Sequence, residues 1–202
     1  MKNTLKENNF QIEECQSKEE WDDFITSFKQ ANFLQSWDFY EFYKNIKHQV
    51  VRRVIKSNGK IVAAYAGEVE PAKRGRHLAI AGGPILDWTN DILIGTVFKD
   101  MISVAKKMQC IFVRVRPQIE NTSESAKIFQ KYHFKQAPMY LSVEFAGVLD
   151  LTKTEDEILA GMRQRLRRAL RKAEKNQIKI ETTTDPAAIK EFYQIELQTA
   201  KR

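Results

Sequence analysis

Apolar positions along the first 150 residues alternate between two periods, and the switch from one to the other marks out the elements. Ser17 followed by Glu20 is a capping-box pattern, and Trp21, Phe24, Ile25 and Phe28 share one helical face, which predicts a helix over residues 18–30. Asn32 to Gln35 is short and reads as extended. Ser36 then caps a second helix rich in aromatics: Trp37, Phe39, Tyr40, Phe42 and Tyr43, with Ile46 at its end. Val50 to Ile55 is β-branched, Asn58-Gly59 is a two-residue hairpin turn, and Ile61 to Val69 returns as the partner strand.

Further on, His77 to Ala81 predicts a short strand ending at Gly82-Gly83-Pro84. Ile94, Val97, Phe98, Met101, Ile102 and Ala105 fall on one stripe of a long helix. Ile111 to Val115 reads as a strand stopped by Pro117, Ser123 to Lys131 as a helix, and Leu141 to Leu149 as a strand. Helices, a hairpin meander, a long helix and then strand-helix-strand describe an α/β (α+β) fold of acetyltransferase type, a mixed sheet flanked by helices. Residues 1–150 make this first domain. Residues 151–202 read as the beginning of a second such domain: an acidic helix start at Thr154 to Glu157, a basic helix, a strand at Ile178 to Thr182, and a helix from Pro186. The pattern runs on to Arg202 without a closing strand, so the expectation is a chain that is a fragment or a truncated product.

Composition narrows the class. With 202 residues, 43% hydrophobic, 8 Gly and 5 Pro, the chain is too apolar for a disordered tail and too punctuated for a coiled coil. No apolar run reaches the roughly 18–20 residues of a membrane span and Met1 to Phe10 is polar, so the expected location is cytoplasmic. Cys15 and Cys110 form no CxxC, and no metal site is expected.

Charge is the more telling quantity. Of the net +7, residues 163–175 carry +6: Arg163, Arg165, Arg167, Arg168, Arg171, Lys172 and Lys175 against Glu174. The rest of the chain is nearly neutral at +1. Met162, Leu166, Ala169, Leu170 and Ala173 make a narrow apolar seam on the same helix. Like charges three and four apart cost a few tenths of a kcal/mol each without a counter-anion. Nucleic-acid phosphate, a membrane surface and a diphosphate ligand all qualify. No helix-turn-helix or zinc pattern points to DNA, and a seam with two alanines is a poor lipid anchor. Phosphate contact at a domain junction, tRNA included, remains.

Other chemistry is sparse. None of the glycines follows a Gln or Arg by three residues, as a CoA-pyrophosphate loop would require, and no P-loop or nucleophile elbow occurs. His48, His77 and His133 stand far apart in sequence and read as surface or core histidines. From the residues alone the reaction stays undecided.

Several segments in order resemble one family. Phe33 to Phe42, Gly83-Pro84, Val113 to Pro117, Phe134 to Pro138, Val148 to Leu151, and Arg165 to Lys175 followed by Ile178 are similar to elements of the Fem family of peptidoglycan bridge-forming aminoacyltransferases. Phe39-Tyr40 replaces the usual Trp-Gly, and Arg116 stands where an acidic residue is common. The resemblance implies two acetyltransferase-like domains and no metal or CoA cofactor, with aminoacyl-tRNA as acyl donor. The implied acceptor is a peptidoglycan precursor, lipid II or a nucleotide-linked muramyl pentapeptide, with peripheral contact at the inner membrane face and no DNA partner. It implies substrate contact at Lys44, or at Tyr43 in its place, and catalytic groups beyond Arg202. Two alternatives stand beside it: a CoA-dependent acyltransferase acting on another envelope polymer, and a non-enzymatic RNA-binding module built on the basic helix.

Overall fold

The computed structural model describes residues 10–73, 75–137 and 147–202. The chain divides into two compact units, residues 1–137 and 138–202.

Unit 1 is a six-stranded mixed sheet with helices on both faces. In chain order it runs β1 (Gln11–Glu14), α1 (Lys18–Thr26), a 3-10 turn (Phe33–Gln35), α2 (Trp37–Asn45), β2 (Gln49–Ser57), β3 (Lys60–Ala72), β4 (Gly75–Gly82), β5 (Ile85–Leu86), α3 (Asp91–Lys107), β6 (Phe112–Pro117) and α4 (Ser123–Lys131). The sheet order is β1-β2-β3-β4-β6, with β5 paired to β3. β1 to β4 are antiparallel, whereas β4 and β6 run parallel, His77 opposite Phe112 through Gly82 opposite Pro117. The crossover that joins them carries α3. This is the acetyltransferase-type mixed α/β arrangement.

The hairpin turn forms where the sequence places it: Asn58 and Gly59 both have positive φ, the pairing a type I′ turn requires. β1 was not anticipated. Its residues are exposed and, apart from Ile12, polar, and an edge strand of this kind is defined by its pairing with Arg53–Lys56 rather than by its own hydrophobicity. α1 stops at Thr26, short of Gln30, because Thr26 and Ser27 turn their hydroxyls back onto the carbonyls of Asp22 and Phe24 and the chain tightens into i→i−3 turns. The strand expected over residues 141–149 lies outside the described residues up to 146, and residues 147–149 are irregular.

Two cores fill the layers. Under α3 lie Ile55, Tyr65, Leu78, Ile80, Val97, Phe98 and Met101, with Trp88, Phe129, Tyr132 and Phe134 packed against them. Under α1 and α2 lie Trp21, Ile25, Tyr40, Val54, Ala64, Ala66 and Ile85.

Unit 2 contains α5 (Glu155–Gly161), α6 (Gln164–Lys175) and α7 (Pro186–Ala200). Thr154 and Glu157 close a capping box on α5, and Asp185 with Pro186 starts α7. The strand expected at residues 178–182 is absent: a strand exists only as part of a ladder, no partner lies among the described residues of this unit, and Ile180 is 94% exposed. Met162 does not belong to the seam of the basic helix. It adopts an extended conformation as the cap of α5, so the seam of α6 begins at Leu166. Among the described residues, no helix is long and apolar enough to cross a membrane, and no group of three His, Cys, Asp or Glu is placed to hold a metal.

Candidate functional site

The segment Phe33 to Phe42 is built around a buried amide. Between Ala66 and Ala81 the β3–β4 ladder is interrupted, since paired residues run only from Glu68/Ala79 to Ala72/Gly75. The Gln35 side chain, fully buried, fills the gap. Its Nε2 donates to the carbonyls of Ala81 (2.6 Å) and Ala66 (3.1 Å), and its Oε1 accepts from the Ala66 N–H (2.9 Å). Tyr40 donates its hydroxyl to the same Ala66 carbonyl at 2.8 Å, and Trp21 donates Nε1 to the Gln35 carbonyl at 2.8 Å. Glycine at 83 is a packing requirement, because a Cβ there would lie 2.7 Å from Cδ of Gln35. The glutamine thus acts as a rung of the sheet and ties the 3-10 turn and the start of α2 to it.

α2 then carries the expected contact residues. Ser36 caps it by accepting from the Phe39 N–H. Trp37 stacks on the Arg52 guanidinium, 3.9 Å from ring centroid to Cζ, and Arg52 also bonds the Trp37 carbonyl (3.1 Å) and Glu41 (2.7 Å). Lys44 bonds Glu41 at 3.1 Å and lies over the Trp37 ring, 6.0 Å from its centroid, with 47% of its side chain exposed. Burial pushes the Glu41 carboxyl up, but the hydrogen bonds from Lys44 and Arg52 outweigh it and hold the group below the usual carboxylate range. Tyr43 is half-buried against Phe39 and Phe42, and burial followed by the charge of Glu68 raises its hydroxyl pKa. The aromatics of α2 are mostly core, as their density suggests, yet Phe42 is exposed.

Tyr43 and Lys44, the two expected acceptor contacts, are therefore neighbours on α2 and point to different surroundings. Sequence reading passes over Gln35, Glu41, Arg52 and Glu68, and sets His48 aside as a surface or core histidine. His48 and His77 both face carboxylates: His48 Nδ1 bonds Glu68, and His77 Nε2 lies 3.3 Å from Glu70. No local motif announces these pairs: Glu68 lies twenty residues from His48, and Glu70 meets His77 only through the register of the β3–β4 hairpin.

The basic helix keeps its charge uncompensated. Arg163 is the N-cap of α6, and Arg165, Arg167, Arg168, Arg171, Lys172 and Lys175 lie within it. Among the described residues no ion pair involves any of the seven. Arg167 has a second task, donating to the carbonyls of Ala160 and Met162 at the end of α5. The others project from a helix with no buried residue.

The chain as a whole is similar to proteins already known. Aminoacyltransferase FemA of Staphylococcus aureus (strain bovine RF122 / ET3-1) is 24% identical over 181 residues, covering 78% of this chain and 43% of that protein. The crystal structure of FemX superposes with a TM-score of 0.78 at 18% identity, over 95% of this chain and 50% of FemX. The chain thus spans about half the length of both. The pattern of the FemAB family matches residues 16–137, more than half of the sequence and nearly all of unit 1. The chain belongs to the FemAB family.

Proposed function

We propose that this chain is part of an aminoacyltransferase that moves an amino acid from aminoacyl-tRNA to the stem peptide of a peptidoglycan precursor. The observation that carries the reading is the family match across residues 16–137, which includes the Gln35 segment and α2. Lys44 or Tyr43 contacts the acceptor, lipid II or a nucleotide-linked muramyl pentapeptide. The cations of α6 meet phosphates, those of the tRNA first, at a place where uncompensated positive charge needs an anion. The enzyme works in the cytoplasm, touching the inner membrane face where a lipid-linked acceptor is used. Residues 151–202 open a second domain that supplies further contacts.

The reaction joins an amine to an ester carbonyl, so its rate rests on positioning and on stabilising the oxyanion. An aminoacyl-tRNA donor suits unit 1 better than CoA. The first turn of α3, where helix amides could hold a diphosphate, carries its own carboxylate: Asp91, bonded by Lys131 at 2.6 Å through both oxygens. The test is transfer of a labelled amino acid from charged tRNA to muramyl pentapeptide. Labelled product is expected with at least one charged tRNA. Absence of transfer with every one contradicts the proposal.

A further inference from the structure

At the end of α2 the chain turns so as to place His48 on the sheet. The Lys47 N–H bonds the Lys44 carbonyl and the His48 N–H bonds the Tyr43 carbonyl, both at 2.9 Å, with Lys47 left-handed at φ 68°. This Schellman closure delivers His48 one residue before β2. In the β2–β3 register Val50 faces Glu68 and Gln49 faces Val69, so one step further His48 comes opposite Glu70. His48, Val50, Glu68 and Glu70 therefore share the face of the sheet that α1 and α2 cover, at the rim where the apolar packing ends with Tyr43 and Val50.

The chemistry of that rim is specific. Glu68 is buried and accepts from His48 Nδ1. In the neutral ring, an Nδ1–H donated to the Glu68 carboxylate leaves the lone pair on Nε2. Nε2 has no hydrogen-bond partner among the described residues and is not enclosed. A carboxylate that orients an imidazole while leaving its far nitrogen open is the arrangement of a general base. The chargeable groups around it are Tyr43 from α2, Glu68 and Glu70 from β3, and His77 from β4, which faces Glu70. Glu68 at Nδ1 and Glu70 on the same sheet face put negative charge on this rim, which suits a primary ammonium. Lys44, the expected acceptor contact, precedes this turn on the same helix.

We propose that His48, held by Glu68, accepts the proton of the acceptor's ammonium group. The inference rests on the aminoacyl-transfer reading. An ammonium R–NH3+ gives one proton to His48 Nε2, forming imidazolium and a free amine. The amine attacks the ester carbonyl, the C–N bond forms and the C–O bond to the donor's sugar breaks. The departing oxygen takes the second nitrogen proton, and the imidazolium later releases the first to water.

The experiment has two arms on the full chain. In the first, kcat/KM for the acceptor is measured from about pH 5.5 to 9. Wild type is expected to show an acidic limb, His48→Gln to lose it with about a 10²-fold fall in kcat and little change in KM, and Glu68→Gln to lose about 10-fold. A His48→Gln enzyme that retains the limb and its rate overturns the proposal. In the second arm, nitrogen NMR of the His48 ring is followed while a lysine-containing stem peptide is added, with its Nζ-acetylated form as control. The expected result is an unprotonated Nε2 in the neutral ring that shifts with the free amine and not with the acetylated peptide. A proton on Nε2, or equal shifts with both peptides, overturns it even where no transfer is seen, and absence of transfer alone counts against the proposed function instead.

Discussion

α3 in unit 1 and α6 in unit 2 are both well-signalled helices, and they end up in opposite circumstances. α3 buries Leu93, Ile94, Val97, Phe98, Met101 and Ala105 between the sheet and the aromatic cluster of Phe129, Tyr132 and Phe134. α6 buries nothing among the described residues: Leu166 and Leu170 remain exposed between arginines, and the apolar side chains of α7, Phe192 among them, are exposed too. Capping and periodicity form a helix in either unit. Only a sheet with paired strands supplies a surface on which a helix can bury its stripe, so stability should be concentrated in unit 1 and phosphate binding in unit 2.

The sharpest way to break this contrast is to truncate one aromatic in each unit. Phe98→Ala should lower the unfolding free energy of unit 1 by about 3–5 kcal/mol, whereas Phe192→Ala should change that of unit 2 by less than about 0.5 kcal/mol, both read from urea denaturation. Equal losses would show that unit 2 is as tightly packed as unit 1. A smaller effect is expected at the sheet gap. Gln35→Leu keeps the volume but leaves the Ala66 N–H and the Ala81 carbonyl without partners, and should cost about 2–3 kcal/mol.

Acidity is a gentler probe of unit 1. The folded-state pKa of Glu41 is depressed, so its contribution is present above the unfolded value of 4.5 and fades as pH falls through the lower folded value. Urea midpoints of unit 1 should therefore drop between about pH 5 and 3, and Glu41→Gln should flatten that part of the curve. Smallest of all is a gain. Gln109 closes α3 in the left-handed region at φ 57°, and Gln109→Gly should stabilise by about 0.5–1 kcal/mol in the same assay.

That last position also explains where sequence reading falls short. α2, α3, α4 and α6 are each followed by a left-handed residue, Lys47, Gln109, His133 and Gln177, none of which is glycine, so the usual stop signal is missing. The stripe of α3, apart from Ile102, which is exposed, and the Asn58-Gly59 hairpin are legible because each is a local pattern. β1, the two-residue β5 and the absence of a strand at 178–182 are not, because strands are decided by partners distant in sequence. The candidate site divides in the same way. The density of Arg163 to Lys175 can be counted directly, while the Gln35 rung and the His48–Glu68 pair arise only when β2, β3 and β4 come together.

The division of labour is tested most directly by transfer measured against tRNA concentration, comparing wild type with the variant Arg165→Gln/Arg168→Gln/Arg171→Gln. Neutralising three exposed cations on a helix without buried residues should leave the unfolding midpoint of unit 1 unchanged. The KM for charged tRNA should rise about 10-fold or more, and the salt dependence of binding should fall by about 0.7 in log–log slope for each phosphate no longer neutralised. Unaltered KM and salt dependence in that variant would contradict the assignment of phosphate binding to α6.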